Sequence, residues 1–406
     1  MSASKPIAGG LPLEGLRVLE IGHYIAAPFA TRVLADLGAE VIKVEPPVSG
    51  DPVRQWGLAR DGHAYWWSVH GRNKKCVTLN LKSKEGRALL EELVARSDAL
   101  VENLRPGQLR RLGFDDDRLL ELRPNMVICH VSGYGLTGPL ADRACFGAIG
   151  EALGGLRYLS NHTPGTTDLP PVRVGVSIGD SIAGLYAVIA VLAGLWSRAP
   201  HGRVADVALT EAVLSIMEGV LPEYGGTGTV REPSGGRIST AAPTNAFPTA
   251  DGGWVLIAAN SDALFRILCK VMERPELADD PQYRDNPARC RNVDALEAEI
   301  AAWTRRHDAK SLESRLAEAD IPSSRVYTAA DIAEDLQFNT RKMVQWVDDP
   351  RLGKVLHPGS VPMFGASSRQ VRWAGPDVGE HNREVYCDLL GLDEDHLNRL
   401  SSNGVV

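Results

Sequence analysis

The segment Leu16–Pro47, LRVLEIGHYIAAPFATRVLADLGAEVIKVEPP, carries the reading of the fold. Leu16 to Ile21 reads as a short strand ending at Gly22, and Pro28 to Leu37 as a helical stretch. Ala39 to Val44 reads as a second strand, stopped by Pro46 and Pro47. The pattern continues outward. Cys76 to Leu79 is strand-like, Lys84 to Ser97 is a charged amphipathic helix, and Ala99 to Glu102 is a strand. Asn125 to Val131 is a buried strand closed by Ser132-Gly133-Tyr134-Gly135. Strands alternating with helices imply an α/β fold, with a parallel sheet covered on both faces.

Beyond this, Gly179 to Trp196 reads as a long apolar helix whose small residues suit close helix packing. Val204 to Val207 reads as a strand leading into a helix at Thr210 to Met217. Gly225 to Gly236 contains five glycines and reads as a boundary loop. After it come a strand at Gly253 to Ala259 and helices at Asp262 to Met272 and Val293 to Arg306, a smaller α+β pattern. The expected organisation is a large Rossmann-like domain over 1–205, a linker over 206–230, a small domain over 231–330, and a return linker and C-terminal part over 331–406.

With 406 residues, 44% of them hydrophobic and 23% charged, the chain suits a large globular core. A formal net charge of -7 gives no electrostatic reason to expect nucleic acid or an anionic membrane as partner. The cysteines at 76, 129, 145, 269, 290 and 387 form no CxxC pair and no zinc spacing with histidine, so no metal is expected. Met1 to Gly10 lacks the apolar core of a signal peptide, and the apolar run Ile182 to Trp196 is shorter than a bilayer span. A cytoplasmic location is the expectation.

Several constellations could carry chemistry. Gly22-His23-Tyr24-Ile25-Ala26-Ala27-Pro28 occupies the place of a phosphate-binding turn but lacks G-x-G-x-x-G spacing, which argues against a nicotinamide-linked oxidoreductase. Arg72-Asn73-Lys74-Lys75 is a cationic cluster suited to phosphates or to a solvated surface. Asn103 and Arg105 follow a strand end. Asp180 stands where the long helix begins, which suits either an amide-capping carboxylate or a nucleophile kept ionised by nearby amide donors.

These stretches, over nearly the whole chain, resemble the family III coenzyme A transferases, the group that includes formyl-CoA transferase and the carnitine CoA transferase. The resemblance rests on Leu13–Leu19, Ala35–Pro46, Arg72–Lys75, Glu102–Gly107, Ser132–Gly135 with Gly138-Pro139, Gly179-Asp180 and Gly379-Glu380-His381. It implies that Asp180 is the nucleophile, forming an aspartyl mixed anhydride and then an aspartyl-CoA thioester. It also implies that His23, Tyr24, Arg72, Lys74 and Arg105 line the coenzyme A site, with Asn103 beside them. A glycine-rich loop over the nucleophile is matched by Gly235-Gly236, whose amides would stabilise an oxyanion. Two chains would form an interlocked homodimer. No permanent cofactor is implied, because acyl-CoA is itself a substrate.

Ile25 and Gly147 depart from the formyl-CoA transferase pattern, which argues against a formyl or oxalyl group. A related racemase would need a histidine where Phe146 stands, and phenylalanine moves no proton. The expected reaction takes coenzyme A from a donor such as succinyl-CoA to a short carboxylic acid, foremost a dicarboxylic one. The second carboxylate would need an arginine, and Arg143, Arg173, Arg231 and Arg237, together with Phe146, form the expected acid-binding set. An intramolecular coenzyme A isomerase, a racemase-like enzyme and a non-catalytic acyl-CoA binder are the alternatives.

Overall fold

The computed structural model describes residues 10–197, 199, 203–364 and 371–406. Its strands are, in chain order, β1 (Arg17–Ile21), β2 (Glu40–Glu45), β3 (Ala59–Arg60), β4 (His63–Ala64), β5 (Lys74–Thr78), β6 (Ala99–Glu102), β7 (Val127–Ser132), β8 (Val204–Ala208), β9 (Thr244–Pro248), β10 (Trp254–Ala258), β11 (Ser323–Arg325), β12 (Val344–Asp349) and β13 (Gly353–Pro358). The chain divides into two units. One runs through Leu156 and includes Val174–Leu221 and Asp335–Val406; the other is Arg157–Arg173 with Pro222–Glu334.

The larger unit is built on a six-stranded sheet in the order β5-β2-β1-β6-β7-β8, with every neighbouring pair parallel. The chain leaves β1 toward β2 and β5, then returns to the other side through β6, so the order reverses between β1 and β6. In open parallel sheets ligands lie beyond the carboxyl ends of the strands at such a reversal. Helices cover both faces. Ala26–Asp36 and Ile178–Trp196 share one core with Val18, Val41, Val101 and Val131, while Leu89, Leu90 and Leu93 of the Lys84–Ala95 helix pack the other side with Leu19, Ile42 and Leu100.

The two helices of the first core approach closely, because a β-carbon on Gly184 would stand 2.8 Å from Phe29 Cδ1 and 2.9 Å from the Ala26 carbonyl. Ile178–Trp196 is long and apolar enough, by length and composition, to cross a membrane. It extends past the apolar run read from the sequence, and Gly179, Ile182, Ala183, Ala187, Val188 and Val191 are buried within the unit. The smaller unit has an antiparallel sheet, β11-β10-β9, packed by helices Asp262–Val271, Val293–Thr304 and Ala309–Glu318 around Phe247, Ile257, Phe265, Leu296 and Leu316.

One expectation about local structure is corrected. Gly225 and Gly226 lie inside a helix, Val220–Thr227, rather than in a boundary loop. A glycine weakens a helix by only about 1 kcal/mol. The stop comes at Gly228, whose φ of 70° is the left-handed conformation that ends helices.

Candidate active site

A cleft of about 350 Å³ opens at the carboxyl ends of β1, β6 and β7, at the reversal of strand order. The turn after β1 forms one wall. Gly22 is required there, since a β-carbon would come 2.8 Å from Asn103 Oδ1 and 2.9 Å from the Ala27 β-carbon. Four polar backbone groups around His23 are held by side chains. Lys43 Nζ donates to the Gly22 carbonyl at 2.8 Å. Asn103 accepts from the His23 amide at 2.8 Å and donates to its carbonyl at 2.8 Å, while Asp51 accepts from the Tyr24 amide at 3.1 Å. Tyr24 is left-handed, with φ of 64°, a conformation that non-glycine residues seldom adopt without such support.

Beneath the turn lies a buried charge network. Glu20 receives Lys43 at 2.6 Å, Lys74 at 2.8 Å and the Thr31 hydroxyl at 2.5 Å. Lys43 also reaches Asp51 at 2.8 Å, and Glu45 holds Arg54 at 2.6 Å. Burial alone would push Glu20 up, yet the two lysines hold its carboxyl down to about 2. Burial and the nearby Lys43 lower His23, keeping its ring neutral, and its Nδ1 is buried with no hydrogen-bond partner.

Asp180 forms part of the opposite wall. It is half-buried in the first turn of Ile178–Trp196, while Ser177 occupies the position preceding that turn. Asp180 is thus inside the helix rather than its cap, where the positive end of the helix dipole favours the carboxylate. Helix Gly147–Leu153 begins against it. A β-carbon on Gly147 would lie 2.0 Å from Asp180 Oδ2, and one on Gly179 would lie 2.9 Å from the Gly147 carbonyl. Two glycines therefore allow two helix starts to meet with a carboxylate between them. Burial, and then the charge of Asp180, raise the Cys145 thiol and so disfavour a thiolate beside the carboxylate.

The cleft brings together seven of the residues singled out in the sequence: His23, Tyr24, Asn103, Arg105, Arg143, Phe146 and Asp180. The Phe146 ring is 66% exposed and meets the Tyr24 ring edge-on at 6.0 Å. Ser132 and Gly133 join the lining, and Ser132 Oγ accepts from the Gly135 amide at 3.0 Å.

Arg72 and Lys74 depart from the expectation of a coenzyme contact. Arg72 is 1% exposed and grips both oxygens of Asp36 at 3.1 and 2.7 Å. Lys74 is fully buried on Glu20 and on the Pro28 carbonyl. The physical reason is the strand start. β5 begins at Lys74 and not at Cys76, so pleating sends Lys74 and Cys76 inward while Lys75 points to Glu40 and Glu384.

Gly235, Gly236, Arg173, Arg231 and Arg237 belong to the smaller unit. Gly235 is left-handed, and a β-carbon on Gly236 would meet Asn245 Oδ1 at 2.6 Å. Arg237 is paired with Asp294 and Glu297, both at 2.7 Å, and Arg231 with Glu223. Arg173 lies on an exposed stretch. Lys43 and Asp51 escaped the sequence reading, although a lone lysine in the apolar run Val41-Ile42-Lys43-Val44 signals a buried partner.

Among the described residues no cluster of three or more histidine, cysteine or acidic side chains could hold a metal ion. The family model for CoA-transferase family III matches residues 13–382. A succinyl-CoA–D-citramalate CoA-transferase of Chloroflexus aurantiacus is 44% identical over 409 residues, covering 100% of both chains. A succinyl-CoA–L-malate CoA-transferase beta subunit from the same species is 36% identical over 402 residues, covering 98% of each. Among solved structures, a CAIB/BAIF family protein from Brucella suis superposes with a TM-score of 0.83 at 30% identity, covering 94% of this chain and 100% of that one.

Proposed function

We propose that this chain, which belongs to CoA-transferase family III, exchanges coenzyme A between short acids through covalent intermediates on Asp180. The observation that carries the reading is the half-buried carboxylate of Asp180, placed at a helix start in the cleft, with the side-chain space of Gly147 left open to it. Asp180 attacks the donor thioester carbonyl, the C–S bond breaks, and the thiolate leaves behind an aspartyl-acyl anhydride. The thiolate then attacks the aspartyl carbonyl and expels the donor acid, giving an aspartyl-CoA thioester. An acceptor carboxylate attacks that thioester to form a second anhydride and free the thiolate. Attack of the thiolate on the acceptor's carbonyl releases the new acyl-CoA and restores Asp180. Every step trades one activated acyl bond for another.

Holding the thiolate between steps needs anchors away from the reacting atoms. Arg105 and Arg143 supply charge at the cleft, and the neutral His23 ring and Asn103 supply polar contact. Backbone amides at Gly235-Gly236 are the proposed oxyanion donors. Succinyl-CoA is the proposed donor and a four- or five-carbon dicarboxylic acid the proposed acceptor, supported by the names of the relatives 44% and 36% identical to this chain. Exposed Ile149 and Leu153 beside Phe146, and Leu185 and Ile189 on the Asp180 helix, support a homodimer in which a second copy covers apolar surface; its interlocked form is proposed from the family resemblance alone.

The test is a panel of succinyl-CoA with mono- and dicarboxylic acceptors read by mass spectrometry, with hydroxylamine added during turnover. Wild-type protein forms new dicarboxylyl thioesters and carries the hydroxamate at Asp180. Near-wild-type transfer by Asp180→Ala would end the covalent reading. An intramolecular shift within one dicarboxylyl-CoA uses the same carboxylate, and isotope-labelled free acid separates it, since only the intermolecular route incorporates the label.

A further inference from the structure

Tyr24 lines the cleft in a conformation that a tyrosine adopts only at a cost. Its φ of 64° is one that glycine would take freely, so a bulky side chain at this position is not explained by the turn itself. Such strain persists only where the surroundings impose it, and it gathers at functional sites. Asp51, fully buried, imposes it here. Its Oδ1 accepts from the Tyr24 amide at 3.1 Å and from the Val53 amide at 2.9 Å. Its Oδ2 lies 2.8 Å from Lys43 Nζ, and its own amide donates to Glu45 at 2.9 Å. The bond to Val53 caps the short turn Pro52–Gln55, and Trp56, next in the chain, meets the Tyr24 ring at 5.1 Å. One carboxylate thus fixes both the backbone of Tyr24 and the support of its ring.

The ring so fixed stands at the reacting end of the cleft. It meets Phe146 edge-on at 6.0 Å, and Phe146 immediately precedes Gly147, whose open side holds the Asp180 carboxylate. The turn itself is divided between two sides of the sheet. His23 is tied to Asn103, beyond β6, whereas Tyr24 is tied to Asp51, beyond β2, and these strands flank β1 on opposite sides. Arg105 and Gln108, which suit the phosphates and amides of coenzyme A, follow Asn103 on the β6 side and line the same cleft. On the β2 side, Lys43 and Lys74 beneath the turn are fully buried and paired with Glu20, so they offer a phosphate nothing. What that side presents is aromatic: Trp56 packs on Tyr24, and Trp66 lies 5.9 Å from Trp56. Among the described residues none forms a hydrogen bond with the Tyr24 hydroxyl, which leaves a neutral donor for a ligand in the cleft. A phenol between aromatic walls suits a short chain that ends in an oxygen better than a chain of phosphates.

We propose that Tyr24 is a specificity-determining residue on the acid side of the Asp180 site, where its ring bounds the chain of the exchanged acid and its hydroxyl donates to that acid's distal oxygen. This moves Tyr24 from the coenzyme flank to the acid flank. It rests on the transferase reading above, and its test separates the two. Wild-type, Tyr24→Phe and Tyr24→Ala proteins are assayed with succinyl-CoA as donor and with glutarate, valerate and pimelate as acceptors. Binding of free coenzyme A to each protein is measured by calorimetry. Tyr24→Phe keeps the ring and its contacts and removes only the hydroxyl. It raises the KM for glutarate about tenfold, the size of one lost hydrogen bond to a charged group, and leaves the KM for valerate and the Kd for coenzyme A within about twofold. Tyr24→Ala removes the wall and raises kcat/KM for pimelate relative to glutarate by about tenfold or more, again with the Kd for coenzyme A within about twofold.

Weaker coenzyme A binding in Tyr24→Phe, with the KM for glutarate unmoved, overturns the proposal and returns Tyr24 to the coenzyme flank. Equal losses for glutarate and valerate in Tyr24→Phe, or an unchanged preference between pimelate and glutarate in Tyr24→Ala, overturn it as well, since a residue that only shapes the turn would not discriminate between acids. Each of these leaves the transferase reading standing. Failure of the wild type to transfer coenzyme A to any acid removes that reading itself, and this inference with it.

Discussion

Gly147 and Asp180 share one space: a β-carbon at position 147 would stand 2.0 Å from Oδ2 and 3.2 Å from Oδ1 of the carboxylate. Position 147 opens the Gly147–Leu153 helix and Asp180 lies in the first turn of Ile178–Trp196. Two helix N-termini thus converge where a carboxylate gains most from positive dipole ends.

Gly147→Ala is expected to fold, because the atom it displaces is the end of a rotatable side chain and alanine favours a helix over glycine by about 1 kcal/mol. Turning Asp180 aside misplaces the proposed nucleophile. The expected result is a fall in kcat of about a hundredfold or more, the size associated with small misplacements at a reacting centre, with the melting temperature unchanged. Steady-state kinetics and calorimetry on the same preparation check it.

Asn103→Ala removes both bonds that fix the backbone of His23, at 2.8 Å each. The turn loosens while Asp180 is untouched. Acyl-CoA KM rises by roughly tenfold, about the effect of one lost hydrogen bond to a site wall, and kcat at saturation changes little. A drop confined to kcat would contradict the assignment.

Arg72→Met strands Asp36 in the interior. Breaking a buried pair by removing one partner costs roughly 3–5 kcal/mol, and Arg72 is 1% exposed. Denaturant unfolding should show that loss, whereas coenzyme A affinity of the folded fraction, measured by titration, stays near wild type. Weakened binding without lost stability would restore the cationic cluster to the coenzyme site.

His130 gives a pH signature. Its Nδ1 lies 2.6 Å from Glu102 and its Nε2 2.9 Å from Asp116. Burial alone would lower it, but the two carboxylates raise it to about 9. A folded-state value above the unfolded 6.5 stabilises the protein fully below about pH 6.5, and that stability is lost as pH rises through about 9. The expected difference is roughly 2–3 kcal/mol between pH 6 and pH 10. His130→Gln should flatten this dependence in urea melts.

The sequence by itself determined the strands and helices of the parallel sheet, since apolar runs between turn residues are local signals that Leu16–Pro47 displays plainly. It also determined that Asp180 stands at the start of a long, small-residue helix, because that boundary is written in neighbouring residues. Which charges face a ligand was decided only by tertiary structure. Lys74 and Arg72 look alike with Lys75 in a cationic run, yet a strand that starts two residues earlier than its apolar run turns Lys74 inward to Glu20, 54 positions away. Arg72 goes to Asp36, 36 positions away. Gly147 gives no sign in the sequence that its missing side chain makes room for Asp180. Periodicity records which face of an element is apolar. The neutralisation of a charge depends instead on a partner that the fold brings from elsewhere in the chain.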